Sequence, residues 1–139
     1  MAPSGARPVG DRLTIGGLLD AARSRIERVT PEAALAAQAD GALLVDTRSS
    51  DLRRAEGIIP GSVHVPLSVL FWRLDPSSGY DDPALSDLTR RVILVCAHGY
   101  SSSLAAATLS DLGFAGAGDV IGGFEAWAAA GLPVVTVDG

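Results

Sequence analysis

An α/β fold, with a mainly parallel central sheet flanked by helices and an extra helix on the N-terminal side, is what the sequence predicts. Three observations carry that prediction. The runs Ala42-Leu43-Leu44-Val45 and Val92-Ile93-Leu94-Val95 are apolar without alternation, the mark of strands buried on both faces, as in parallel sheets. Segments with helical periodicity alternate with such runs along the chain, the order that builds βαβ units. A chain of 139 residues, 47% of them hydrophobic, suffices for one domain with a real core and leaves little for a second.

The elements follow in order. Residues 1–12 are rich in Pro, Gly and Arg and read as a flexible N-terminus, with residues 13–139 as the single domain. Thr14 opens a helical pattern in which Ile15, Leu18, Leu19, Ala22, Ile26 and Val29 recur at three- and four-residue steps. Thr30 then suits an N-cap, Pro31 the first helical position and Glu32 the positive end of the helix dipole. This second helix runs to about Ala39, and Gly41 is its stop. The strand 42–45 ends in Asp46, and residues 47–60 read as polar, with a turn at Ile59-Pro60-Gly61. A short extended run over 62–65 stops at Pro66, residues 67–74 read as a short helix, and 75–83 as a loop. The strand 91–95 leads through a small polar loop into an Ala-rich helix from about Ser102 to Leu112, stopped by Gly113. A short run, Asp119-Val120-Ile121, precedes Gly122-Gly123, a last helix through Trp127 and a final extended piece.

Composition narrows the function. The net charge is -5, and all eleven basic residues are Arg. That balance argues against nucleic acid or an anionic membrane as the main partner, since both need a basic face. The first dozen residues lack the apolar core of a signal peptide and no run approaches a membrane span, so a cytoplasmic protein is expected. One cysteine and two histidines leave no disulfide and no plausible metal site, and nothing implies a cofactor.

The informative stretch is Cys96-Ala97-His98-Gly99-Tyr100-Ser101-Ser102. It places a cysteine at the carboxyl end of a strand, where open α/β sheets bind ligands. The loop enters a helix N-terminus, whose unpaired N–H groups and dipole favour an anion and lower a thiol pKa. Gly99 lets successive N–H groups converge as an anion nest. On placement alone Cys96 reads equally as a small buried hydrophobe; the Gly-bearing polar loop favours chemistry.

At this point the sequence resembles the rhodanese-like, or sulfurtransferase, domains, over roughly residues 28–137. Four features carry the resemblance in order: Asp46-Thr47-Arg48 after a strand; Gly57-Ile58-Ile59-Pro60-Gly61-Ser62; the Cys96 loop; and Gly122-Gly123-Phe124-Glu125-Ala126-Trp127 followed by Gly131-Leu132-Pro133. The resemblance implies a three-layer fold and a sulfurtransferase with Cys96 as nucleophile. Its anion- or persulfide-binding loop is Ala97, His98, Gly99, Tyr100, Ser101 and Ser102, and its substrates are a small-molecule sulfur donor and an external thiol or cyanide acceptor. The chain departs from the pattern at Ile58, where His is common, and at Ala97 and Ser101, where family loops often carry Arg. Anion binding then rests on backbone N–H groups and hydroxyls, which points away from efficient use of doubly charged thiosulfate. Related dual-specificity phosphatases use a loop one residue longer, closed by Arg; position 102 is Ser, so phosphoryl transfer lacks its guanidinium.

Other residues take secondary roles. Asp46 and Arg48 are expected to pair beside the loop, where they support its shape in preference to contacting substrate. Arg73 either lends the missing positive charge to the pocket or is a solvated surface arginine. His98 reads as a cation or base beside the thiol, or as a solvent-facing loop residue. His64 reads as a satisfied structural histidine, Gly122-Gly123 as a packing turn, and Trp127 with Phe124 as core. The alternative to the enzyme is a binding or regulatory module that keeps the fold. No oligomeric interface is read from the sequence.

Overall fold

The computed structural model describes residues 9–138. Five parallel strands form one sheet in the order β1-β5-β4-β2-β3. They are β1 (Glu27–Val29), β2 (Leu43–Asp46), β3 (Val63–His64), β4 (Val92–Val95) and β5 (Ala117–Val120). The helices are α1 (Ile15–Arg23), α2 (Pro31–Ala39), α3 (Ser50–Glu56), α4 (Leu70–Leu74), α5 (Ser101–Asp111) and α6 (Gly123–Ala129). Of the stretch 1–12 expected to be flexible, residues 1–8 lie outside the described residues, and Val9–Asp11 form a 3-10 turn.

Alternate residues of the central strands serve two cores, which makes the fold three-layered. Leu43, Val45, Val92 and Leu94 pack with Leu70, Leu74, Ala105, Ala106, Leu109 and Phe114 on one face. Leu44, Ile93, Val95 and Val120 pack with Ala34, Ala37, Phe124 and Trp127 on the other. The unalternating runs of β2 and β4 are thus explained by burial on both sides.

Local signals set most helix ends. The Thr14 hydroxyl accepts from Gly17 N at 3.0 Å and that of Thr30 from Ala33 N at 3.1 Å, each satisfying an otherwise unpaired helix donor. Pro31 occupies the first turn of α2. Gly41 and Gly113 adopt positive φ just past α2 and α5.

Two elements correct the sequence reading. Helical spacing carried the first pattern through Val29, yet the helix ends at Arg23 and Glu27-Arg28-Val29 form β1. The strand exists because β5 receives it: Gly118 pairs with Glu27, and a Cβ at Gly118 would sit 2.0 Å from the Glu27 carbonyl oxygen. The polar segment 47–60 contains α3, capped by the Ser49 hydroxyl on Leu52 N at 3.2 Å. Its seven residues bury none of their side chains, so no apolar stripe announced it.

Candidate active site: the Cys96 loop

β4 delivers Cys96 to the carboxyl edge of the sheet, and α5 begins at Ser101. The intervening loop is closed by contact with the start of α6. Gly99 has φ +83°, and a Cβ there would fall 2.7 Å from Gly122 N; a Cβ on Gly123 would fall 2.5 Å from the Cys96 carbonyl oxygen. Only glycines allow the two turns to lie this close. Phe124 N then donates to Cys96 O at 2.8 Å and Glu125 N to Ala97 O at 3.1 Å. The first turn of α6 therefore holds the loop carbonyls, and this is what the Gly122-Gly123 pair is for.

Loop N–H groups are correspondingly available to the sulfur. Gly99 N donates to Cys96 Sγ at 3.1 Å, and the thiol donates to Ser102 Oγ at 3.1 Å. Cys96 is only 6% exposed. Burial pushes its thiol pKa up, but the hydroxyl and N–H of Ser102, the Ser101 hydroxyl and the Gly99 N–H outweigh that and hold it below the ordinary value. The shift favours the thiolate, so the rate of alkylation against pH should show a midpoint below that of the same thiol in the urea-unfolded chain. A midpoint equal to or above the unfolded one would mean an unactivated cysteine.

Behind the thiol lies a charged cluster that sequence reasoning missed. Asp119 of β5 is 0% exposed. Its Oδ2 accepts from Ser102 Oγ at 2.7 Å and Ser103 Oγ at 2.8 Å, and its Oδ1 from Arg28 Nε at 2.9 Å. Ser102 has one hydroxyl proton. While Cys96 is a thiol that proton goes to Asp119; when the sulfur ionises, the hydroxyl can turn to it. Asp119 then keeps Ser103 and Arg28, so the switch leaves no buried charge bare.

The support residues occupy the opposite side. Arg48 forms two bonds to Asp46, at 2.9 and 3.1 Å, and donates to Gly57 O at 2.8 Å. Its guanidinium lies over the Phe124 ring, 3.7 Å from the centroid, and Phe124 is the residue bonded to Cys96 O. The pair thus braces the loop through α6 and makes no bond to the sulfur. His64 Nε2 is bonded to Arg48 O at 2.8 Å, a structural histidine.

Two expected contributors of charge stand elsewhere. Arg73 is not brought to the loop: its Nη1 donates to Tyr80 O at 2.9 Å, and its Nη2 lies 3.6 Å from Asp82. It lines a cavity of about 720 Å³ with Ser68, Trp72 and Tyr80, which includes no residue of the Cys96 loop. The idea that Arg73 compensates the loop is corrected accordingly; the 78–82 loop, which composition left shapeless, captures it. His98 Nδ1 contacts Glu125 Oε2 at 2.6 Å, with both side chains largely exposed, so the ring is turned to α6. Tyr100 is 62% exposed and lines an apolar cavity of about 420 Å³ with Ile15, Gly16, Leu19, Ser101 and Leu104. Leu67 and Phe71 approach Ser101 and Leu104 from the other side. The surface on the α1 and α5 side of the loop is therefore apolar.

Among the described residues no group of three or more His, Cys, Asp or Glu side chains is placed to hold a metal, and no helix is long and apolar enough to cross a membrane.

A buried cysteine that accepts from loop N–H groups at the carboxyl edge of a parallel sheet, just ahead of a helix, is an arrangement that stabilises negative charge on sulfur. Comparison gives the class. The model of the family described as Rhodanese-like domain matches residues 30–130, and the chain belongs to that family. It is 40% identical over 116 residues to the thiosulfate sulfurtransferase GlpE of Pseudomonas savastanoi, covering 84% of this chain and 99% of that one. It is 39% identical over 104 residues to the protein of the same name from Pseudomonas entomophila, covering 75% and 86%. Among solved structures, a protein of unknown function from Rhodopseudomonas palustris, described as a possible tyrosine phosphatase, superposes with a TM-score of 0.82 at 33% identity, covering 94% of this chain and all of that one. The polysulfide-sulfur transferase homodimer of Wolinella succinogenes superposes with a TM-score of 0.67 at 23% identity, covering 85% and 84%, a likeness of fold.

Proposed function

We propose that the protein is a sulfurtransferase that moves a sulfane sulfur from a small-molecule donor to a thiophilic acceptor through a Cys96 persulfide. The observation that carries this reading is the Cys96 sulfur enclosed by Gly99 N–H and the Ser101 and Ser102 donors, in a chain whose relatives are named thiosulfate sulfurtransferases.

The thiolate attacks the outer sulfur of the donor, and the S–S bond of the donor breaks. With thiosulfate, sulfite departs with the electron pair and Cys96 keeps the sulfur as an anionic persulfide. The loop N–H groups hold that negative charge, an electrostatic stabilisation already in place before reaction. A thiolate or cyanide then takes the outer sulfur, and the Cys96 thiolate returns. Cys96 is the one cysteine in the sequence, so the acceptor comes from outside the chain. A reducing cytoplasm suits this chemistry, since it keeps thiol acceptors available. Intact-mass measurement after exposure to sulfane donors tests the reading: one added sulfur, removed by cyanide, is the expected result. A demonstrably reduced thiol that stays unmodified by every donor would leave the binding-module alternative.

Phosphoryl transfer is the second reading, because of the description attached to the Rhodopseudomonas palustris structure. Transfer of a phosphoryl group calls for a guanidinium on the equatorial oxygens. Position 102 is Ser, committed to Asp119 and the thiol, and Arg48 is sealed beneath Phe124. Hydrolysis of aryl phosphates is expected to be indistinguishable from the Cys96→Ser variant; turnover that vanished in that variant would overturn the assignment.

A further inference from the structure

The Cys96 loop contains no arginine, yet two arginines end on it. Gly99 presents its N–H to the sulfur and its carbonyl to a pair of guanidinium groups: Arg23 Nη2 donates to Gly99 O at 2.8 Å and Arg28 Nη2 at 3.1 Å. Arg23 stands on α1 and Arg28 on β1, both ahead of residue 30, where the family match begins. Arg23 also donates through Nε to Ser103 Oγ at 3.1 Å and lies over the Tyr100 ring, 5.6 Å from its centroid.

Two like charges on one carbonyl repel each other. Asp119 is the anion that offsets Arg28, bonded to it through both carboxylate oxygens. It offsets one of the two charges and leaves about one unit of positive charge against the loop. His98 of the loop is bonded to the exposed Glu125 on α6, and Arg48 after β2 faces Asp46. A carbonyl that accepts two charge-assisted bonds also polarises its own peptide unit, Gly99–Tyr100.

We propose that Arg23 and Arg28 are positioning residues for the sulfur chemistry: from behind the loop, through the Gly99 carbonyl, they supply the positive field that a loop arginine would otherwise give. The proposal rests on the sulfurtransferase reading for its purpose, but the field itself is measurable without any sulfur donor.

The test compares Arg23→Ala and Arg23→Lys with the wild type, using alkylation of Cys96 by anionic iodoacetate and by neutral iodoacetamide. In Arg23→Ala the pH midpoint of alkylation should rise. The iodoacetate-to-iodoacetamide rate ratio should fall about fivefold, the scale of a single partly screened charge. Loading of sulfur from thiosulfate should slow on the order of tenfold, the scale of a lost hydrogen bond to a charged group. Arg23→Lys keeps the charge and should restore most of the ratio. Arg28→Lys, which still neutralises Asp119, should shift the ratio less than Arg23→Ala does. A purely structural clamp would lower thermal stability and leave both the midpoint and the ratio at their wild-type values, and that result overturns the proposal. If Arg23→Ala does not fold, Arg23→Gln keeps the bulk over Tyr100 and carries the same expectation. A wild type that takes up no sulfur but shows the ratio effect would sink the sulfurtransferase reading and leave the field intact.

Discussion

Cys96→Ala should take up no sulfur from any sulfane donor while keeping the fold, so its intact mass stays that of the unmodified chain under conditions that load the wild type. The expected loss is complete, because the sequence offers no second thiol to receive the sulfur and the donor's S–S bond opens only when a nucleophile attacks it. The fold should survive because the change removes a single atom at the end of β4. Ser102 keeps its bond to Asp119, the loop carbonyls keep the α6 N–H groups, and the small void costs about 1 kcal/mol. Circular dichroism and the thermal midpoint check the fold beside the mass measurement. Sulfur retained on the alanine variant would mean that the adduct is held non-covalently and that Cys96 is not the nucleophile.

Arg48→Ala should lower unfolding free energy by about 3–5 kcal/mol, the usual effect of breaking a buried ion pair from one side. The Arg48 side chain is 0% exposed. Removing it strips Asp46 of two bonds, Gly57 O of its donor and Phe124 of the cation under its ring. Arg53 remains on Asp46 at 3.2 Å, which keeps the carboxylate from standing wholly unpaired. Phe124 N is the donor to Cys96 O, so the loss should reach the loop as slower sulfur loading at temperatures where the variant is still folded. Urea unfolding followed by intrinsic Trp fluorescence gives the stability, and single-turnover loading the rest. A loss under 1 kcal/mol would mean that the pair is dispensable and that Phe124 is held by packing alone.

Much of this site was legible before any coordinates. β2 and β4 announce themselves because burial on both faces removes the polar residues that would break the run. The start of α2 is legible because Thr30, Pro31 and Glu32 each suit one position of a helix entry. Asp46 with Arg48 could be paired on sight because they lie two residues apart at a strand end. Arg23, Arg28, Ser103 and Asp119 could not, since Arg28 and Asp119 are separated by 91 positions and meet only when β1 adds to β5. The one local hint was Asp119 itself, a charged residue inside a short strand pattern. Arg28 was hidden further, because Ile26 and Val29 continue the spacing of α1 and lend a three-residue strand the look of a helix. Arg73 was left between a pocket role and a surface one, because Tyr80 O and Asp82 in an irregular loop decide where the guanidinium goes.

The position of β1 also orders events during synthesis. β1 is made early, and its sheet partner β5 is made late. Until residue 120 has emerged, β1 has no strand to join, and Arg28 has no carboxylate to meet. Pairings this distant in sequence form slowly compared with local ones. For the last part of that interval Cys96 already exists, without Asp119 behind Ser102 and without α6 to grip its carbonyl. A chain that stops short of residue 120 therefore lacks both the Asp119 contact behind Ser102 and the α6 grip on the loop carbonyls.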